Sequence, residues 1–309
     1  MSAPPRLAPL EEARALLPTA PVAPRRLPLD RAIDHVLAAP LRAPGPLPPA
    51  PVALREGWAV ASALTEGAGP YAPLPLPGLA WVVPGEALPP GTDAVLPPFA
   101  LEDGAVLEPV APGEGVRLAG ELAAAGAELR PAGHLLAPAD LLLAAAGIAA
   151  VEVRVPRIAL RGAGLLAALV RAEGAEVVEA APDLVLAVGA TPDPLLLPAI
   201  ATRPGEGLAV GRLDGAPALL LPAEPEAMLA GWWLLARPAL RALAGRAPPP
   251  RQRMRLARKI ASPIGFTELV ALGADGAPAP PLGLVAALLT VPAGREGYEA
   301  GTEVEVEAP

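Results

Sequence analysis

A chain of 309 residues is too long for one ordinary core and implies two to four domains of about 60–150 residues each. With 24 basic against 32 acidic side chains the net charge is −8, which excludes broad nucleic-acid binding, since neutralising phosphates needs a basic face. The absence of Cys removes disulfides, thiol redox chemistry, zinc knuckles and iron–sulfur ligation, and two histidines, His35 and His134, leave no His-rich metal site.

Leu10–Leu17 has helical spacing with an acidic first turn. Glu11 and Glu12 interrupt the first apolar stretch, so no signal peptide is expected. Asp30 is placed to cap a second helix over Arg31–Ala39, which would carry His35 on its surface. The Pro-dense Ala43–Val52 then breaks the pattern. From Gly57 to about Leu135, short apolar runs such as Trp81–Val83, Asp93–Leu96 and Ala105–Val110 alternate with Gly/Pro clusters, the signature of β-structure. Pro138–Ala146 reads as a short helix with Asp140 near its positive end. Leu135–Val153 is broken by Pro138 and Asp140 and cannot cross a bilayer, so the chain reads as cytoplasmic with no membrane partner.

From Pro156 strands and helices alternate. Arg157–Leu160, Glu176–Glu179, Leu184–Val188, Leu208–Gly211 and Ala218–Leu221 read as strands of a mainly parallel sheet. Leu165–Arg171 is a helix, and Pro225–Ala244 a longer one bent at Pro238. After the basic run Arg251–Lys259, residues Ile260 to Val306 return to short strands. That organisation gives residues 1–155 as an N-terminal region with a β-rich insertion (about 46–130), 156–247 as an α/β domain and 248–309 as a β-domain.

The basic run lacks interleaved aromatics and is better read as a solvated strand than as a nucleic-acid face. Gly162 and Gly164 follow a strand and open a helix, as a phosphate loop can, but lack the spacing of a dinucleotide fingerprint. Trp232–Trp233 fit a core or dimer contact. The segment LPPAPVALREGWAVAS is more specific, because it sets the carboxylate of Glu56 at a turn where Gly57 permits close backbone approach. WVVPGEALPPGTDAV, GEGVRLAGEL and LLAPADLLLAAAGIAAVEVRVPRIAL follow it, then APDLVLAVGA, RPGEGLAVG and LLLPAEPEAM.

These collinear pieces resemble the molybdopterin molybdenumtransferases, the MoeA and gephyrin E-domain family, over nearly the whole chain. The family's patterns are S-A-M-D-G-Y-A-V, T-G-A-P-L-P-x-G-A-D-A-V, N-V-R-x-x-G-E-D, K-P-G-K-P-L-A-F-G and G-L-P-G-N-P-V-S-A. The resemblance implies an elongated multidomain fold: a β-rich N-terminal region, a reduced α/β molybdopterin-binding domain and a C-terminal β-barrel. It implies a homodimer, and molybdopterin as substrate, with magnesium and molybdate as further ligands. Molybdenum-cofactor biosynthesis proteins, or a molybdoenzyme, would be its partners.

The matching positions give the implied site. Glu56 stands for the Asp of D-G-Y-A and Glu121 for the Glu of G-E-D, both in catalytic positions. Gly189, Thr191, Asp193, Arg203 and Gly205 fall in the substrate-binding loops, with Glu56 and Asp193 as the carboxylates for a metal ion. Against the family pattern this chain is stripped. Leu122 replaces the Asp of G-E-D, Glu206 the second lysine of K-P-G-K, and Ala227 the Ser of G-N-P-V-S. The S-T-G-D-E-L segment is missing after Leu160, and the family's S-S-L-x-x-A-N is replaced by PLGLVAALL. The resemblance thus implies a transferase that inserts molybdate into adenylated molybdopterin, with activity weak or lost; the alternative is a non-catalytic molybdenum-cofactor carrier or assembly scaffold.

Overall fold

The computed structural model of the chain describes residues 7–279 and 283–309; the start of the PLGLVAALL segment lies outside the described residues. Two compact units emerge. One comprises the described residues up to Ala39, Ala132–Asp140 and Ala150–Pro309; the other comprises Pro40–Pro131 and Leu141–Ala149.

The first unit is built on a six-stranded sheet with strand order Glu176–Val177, Arg157–Arg161, Leu184–Val188, Ala216–Leu221, Ala209–Leu213 and Leu195–Leu197. The first four run parallel, and Ala209–Leu213 is antiparallel to both of its neighbours. Leu184–Val188 is continuously apolar because both faces are covered. Leu184 and Leu186 enter the main core with Ile158, Leu219 and Trp232, while Val185 and Ala187 pack with Ala159 and Ala218. Asp214 and Gly215, at φ 50° and 79°, make the two-residue turn joining Ala209–Leu213 to Ala216–Leu221.

Two short helices flank this sheet: α1, Leu10–Leu16, which buries Leu10 and Ala13, and α2, Ala167–Ala172. The long helix is continuous but not uniform. Helix α3, Pro225–Gly231, passes through a π-turn, Trp232–Ala236, into α4, Arg237–Ala244, and ends at Gly245 in the left-handed region. Pro238 explains the widened turn: it has no N–H to offer the carbonyl four residues back. That carbonyl, on Leu234, instead accepts from the Arg14 Nε at 3.1 Å.

The C-terminal strands form a five-stranded sheet in the order Thr202–Arg203, Thr267–Leu272, Ala287–Val291, Glu303–Glu307 and Arg251–Arg255. The basic run is a solvated strand there, and its charge has a partner. Arg251, Arg253 and Arg255 lie opposite Glu307, Glu305 and Glu303. Cross-strand pairs of opposite sign stabilise an exposed edge by a few tenths of a kcal/mol each, up to about 1.

One expected helix is absent. Over Arg31–Ala39 the chain makes a single 3-10 turn, Leu29–Arg31, then a strand, Val36–Leu37. Asp34 at φ 65° breaks any helix, and Val36–Leu37 pairs with Arg154 and Val153 in a sheet that also holds Arg25–Pro28. Tertiary pairing overrides a local pattern that suited a helix. His35 is accordingly not on a helix surface. Its ring is 15% exposed, and Nδ1 lies 3.2 Å from the Gly174 carbonyl.

The second unit is β-rich throughout. Gly57–Val60 is the middle strand between Ala80–Val82 and Ala94–Leu96, and three further small sheets surround it. Val60, Leu96 and Val106 fill one core, and Ala59, Val82 and Val95 another, as alternation along these strands requires. No helix among the described residues is long and apolar enough to cross a membrane.

Candidate functional site

The strand order creates a switch point in the α/β sheet. After Arg157–Arg161 the chain moves outward to Glu176–Val177, and the next strand, Leu184–Val188, lies on the other side. In open sheets of this kind ligands bind in the crevice at the carboxyl ends of the two strands that flank the reversal. Here those ends lead into Gly162–Gly164 and Gly189–Thr191. Gly162, at φ 69°, lets the two loops meet: a Cβ there would lie 3.0 Å from the Val188 carbonyl oxygen.

Gly189 and the loop holding Gly205 come to this same edge, and Arg203 ends the strand that leads into that loop, paired with Glu268 of the C-terminal sheet. Val188 is in register with Leu221, and Ala209 with Leu220, so the loop before Ala209 emerges two strand spacings from Gly189, about 10 Å. Gly205, buried at φ 114°, is compelled: a Cβ would lie 2.9 Å from Leu208 Cδ1. Thr202 Oγ1 donates to the Gly205 carbonyl at 2.9 Å and closes the loop. Arg203 is half exposed, with its Nε 3.9 Å from the Glu206 carboxylate. Gly189 and Thr191 are exposed on their loop. Asp193 is drawn away from that edge, because its N–H donates to the Arg212 carbonyl, about 10 Å along the strand from Ala209.

A third loop completes the edge at the start of α3. Glu224 is the residue before the helix, and its two carboxylate oxygens accept from the N–H groups of Glu226 and Ala227 at 3.0 and 2.7 Å. Free N–H groups at a helix start would attract a ligand oxyanion; these carry a carboxylate of the chain itself. The sequence reading missed Glu224, although Pro225 at the first helical position was a signal for this boundary.

Glu56 and Glu121 belong to the other unit. Glu56 is exposed at a turn and has no ion-pair partner among the described residues. The turn is braced on both sides. Arg55 Nε donates to the Val95 carbonyl at 2.9 Å and Nη2 to Glu114 at 3.1 Å, while Gly57 is pressed against Leu96. Asp93, of the TDAV segment, accepts from Ser62 N–H and Oγ at 2.6 and 2.8 Å, tying that segment to the strand after Glu56. Glu121 is committed locally, since its carboxylate accepts from the Leu118 N–H at 2.8 Å.

Among the described residues no three His, Asp or Glu side chains come together to hold a metal ion. Glu56 and Asp193 are each exposed, single carboxylates. They do not fit a protein-built magnesium cage, so an ion would have to draw most of its ligands from substrate phosphate and water.

Glu114 sits below the usual carboxylate range, chiefly because the Ala111 N–H donates to it and then because Arg55 does. A depressed carboxyl contributes stability above its unfolded pKa and loses it as pH falls through the folded value. Glu114→Gln should therefore lower Tm slightly at neutral pH, and the difference should shrink as pH falls through the folded value, which scans of both proteins at successive pH would detect.

Residues 8–147 match the family model of the MoeA N-terminal region, domains I and II. The fold is that of the crystallised molybdopterin biosynthesis MoeA protein of Pyrococcus horikoshii OT3, with a TM-score of 0.73 and 22% identity over 98% of this chain and 100% of that one. A second crystal structure from P. horikoshii gives 0.74, at the same identity and over 99% of its length. A molybdenum cofactor biosynthesis protein of Pyrococcus furiosus gives 0.63 and 22%, over 98% and 100% of the two chains. No curated protein matches the sequence. The chain is MoeA-like: residues 8–147 match that family's N-terminal region, and the mixed α/β and β fold of MoeA structures extends across the whole chain.

Proposed function

We propose that the chain serves molybdenum-cofactor biosynthesis, taking molybdopterin or its adenylated form at the Gly189 and Arg203–Gly205 loops, with molybdenum transfer weak or lost. The observation that carries this reading is the pair of internal carboxylates at the same edge. Glu224 occupies the N–H groups at the start of α3, and Glu206 stands beside Arg203. The family reaction brings phosphates and molybdate, all anionic, and each charge-assisted hydrogen bond lost costs roughly 1.5–3 kcal/mol. Backbone N–H groups of the Gly189 loop and Arg203 would hold one phosphate; Glu56 and Glu121, in the β-rich unit, are the carboxylates that the family pattern gives for a transfer step. A homodimer in the cytoplasm, handing the cofactor to other biosynthesis proteins or to a molybdoenzyme, belongs to the same proposal.

The test is AMP release from adenylated molybdopterin with molybdate and Mg²⁺. The purified protein should release AMP no faster than a no-enzyme control, since losing even one preorganised donor costs about 10²–10³ in rate. Molybdopterin should still raise Tm by mass action, and Arg203→Ala should abolish that rise. Release at the rate of an intact family member, abolished by Glu56→Ala, would overturn the weak-transfer reading. No ligand-dependent shift at millimolar concentration would leave a scaffold that binds neither.

A further inference from the structure

A cavity of about 550 Å³ opens between α1, α4 and the C-terminal sheet, on the face opposite the one that buries Leu289 and Val291. None of the residues assigned to the loops above lines it. Its cationic wall lies far along the helix from the strand-end loops, since Arg237 and Arg241 follow Pro225 by about 18 and 24 Å, while Thr267 on its other side pairs with Thr202 of the strand before Gly205.

Its wall is unusually cationic for a chain of net charge −8. Arg14, Arg237, Arg241, Arg246 and Arg251 line it, against Glu11 and Glu307. Two of these arginines are balanced where they stand, Arg14 by Glu11 at 2.8 Å and Arg251 by Glu305 and Glu307 at 3.2 and 3.7 Å. The other three share one acid. Glu173, 6% exposed, receives Arg237 at 2.6 Å, Arg241 at 2.9 Å and Arg246 at 2.6 Å.

Three guanidinium groups on one carboxylate leave two positive charges uncompensated in a largely buried place. Arg237 has a further deficit, since its buried Nη1 finds no hydrogen-bond partner among the described residues. Burial pushes the Arg246 guanidinium below its usual value, and the charges of Arg241 and Arg237 push the same way against Glu173. Unpaired buried donors and uncompensated charge are both costly, so the arrangement favours an anion that completes it.

We propose that this cavity binds a small molecule carrying a phosphate dianion. A phosphate monoester bears about −1.5 to −2 at neutral pH, which matches the excess of two. Guanidinium forks suit its oxygens, and Arg237 also lies 4.3 Å from the Trp233 ring centroid, which fixes its plane. Leu269, Leu288 and Trp233 offer apolar wall to the rest of the molecule, and the volume falls within the usual range of small-molecule sites, about 300–1,000 Å³. The inference goes beyond the proposed function and does not depend on it.

Calorimetric titration of the full chain with inorganic phosphate, phenyl phosphate and acetate tests the proposal. Phenyl phosphate should bind the cavity saturably, more tightly than inorganic phosphate, and acetate should not bind. Arg237→Gln should weaken phenyl phosphate about tenfold or more. Thr290→Glu, an exposed cavity position remote in sequence from the Glu173 cluster, should weaken it comparably by repulsion, with both variants folded by circular dichroism. Arg26→Ala, at an exposed arginine outside both sites, should leave it unchanged. Absence of saturable binding at millimolar phenyl phosphate, equal binding of acetate, indifference to both cavity variants, or an equal loss with Arg26→Ala would overturn the assignment.

Discussion

Glu173→Gln should destabilise the α/β unit by about 3–5 kcal/mol, the range seen when one partner of a buried ion cluster is removed. The carboxylate is 6% exposed, so its loss leaves Arg237, Arg241 and Arg246 facing one another with no anion between them. The asymmetry between partners makes the test sharp. Arg237→Gln removes one of three cations from a cluster already two charges in excess, and relieves repulsion while it removes a hydrogen bond. It should therefore cost well under half of what Glu173→Gln costs. Urea unfolding at constant m gives both values. A Glu173→Gln protein within about 0.5 kcal/mol of the parent, the usual scatter for harmless surface changes, would show that the cluster is not a structural charge knot.

This cluster was illegible in the sequence. Glu173 is separated from Arg237 and Arg246 by 64 and 73 positions, and in a chain whose cations are almost all arginine no single one stands out. Local chemistry was easier to read. Leu184–Val188 falls where its apolar run predicts, because a strand covered on both faces needs nothing but apolar residues. Pro225–Ala244 was legible as one helix with a defect at Pro238, since the missing N–H is a property of the residue itself. The Arg31–Ala39 segment failed for the opposite reason: its strand exists only because Arg154 and Val153 lie beside it. The same division holds at the strand-end loops. Gly189 and Arg203 were named from motifs alone, whereas Glu224 closing the N–H groups of α3 and Asp193 tied to Arg212 depend on folded geometry.

Gly57→Ala should be the most damaging single change in the β-rich unit, costing at least about 3 kcal/mol. A non-glycine residue held in a sparsely populated backbone region loses roughly 1–3 kcal/mol before any contact is considered, and Gly57 has φ 155°. Contact makes it worse: the added Cβ would lie 1.9 Å from the Leu96 carbonyl oxygen, a backbone atom in the paired strand. Trp58 is in register with both Leu96 and Trp81, so relief would have to open the three-stranded sheet at its middle. Gly85→Ala is the matched control, with φ 87° and no atom within 4 Å of an added Cβ; it should show the backbone cost alone, about 1–2 kcal/mol. The edge-to-face pair of Trp58 and Trp81, 5.0 Å between centroids, provides a local probe in near-ultraviolet circular dichroism. Its signal should fall in Gly57→Ala and persist in Gly85→Ala. Equal stability of the two variants would sink the steric argument. Because Gly57 follows Glu56 directly, it would also remove the physical reason for a glycine after that carboxylate.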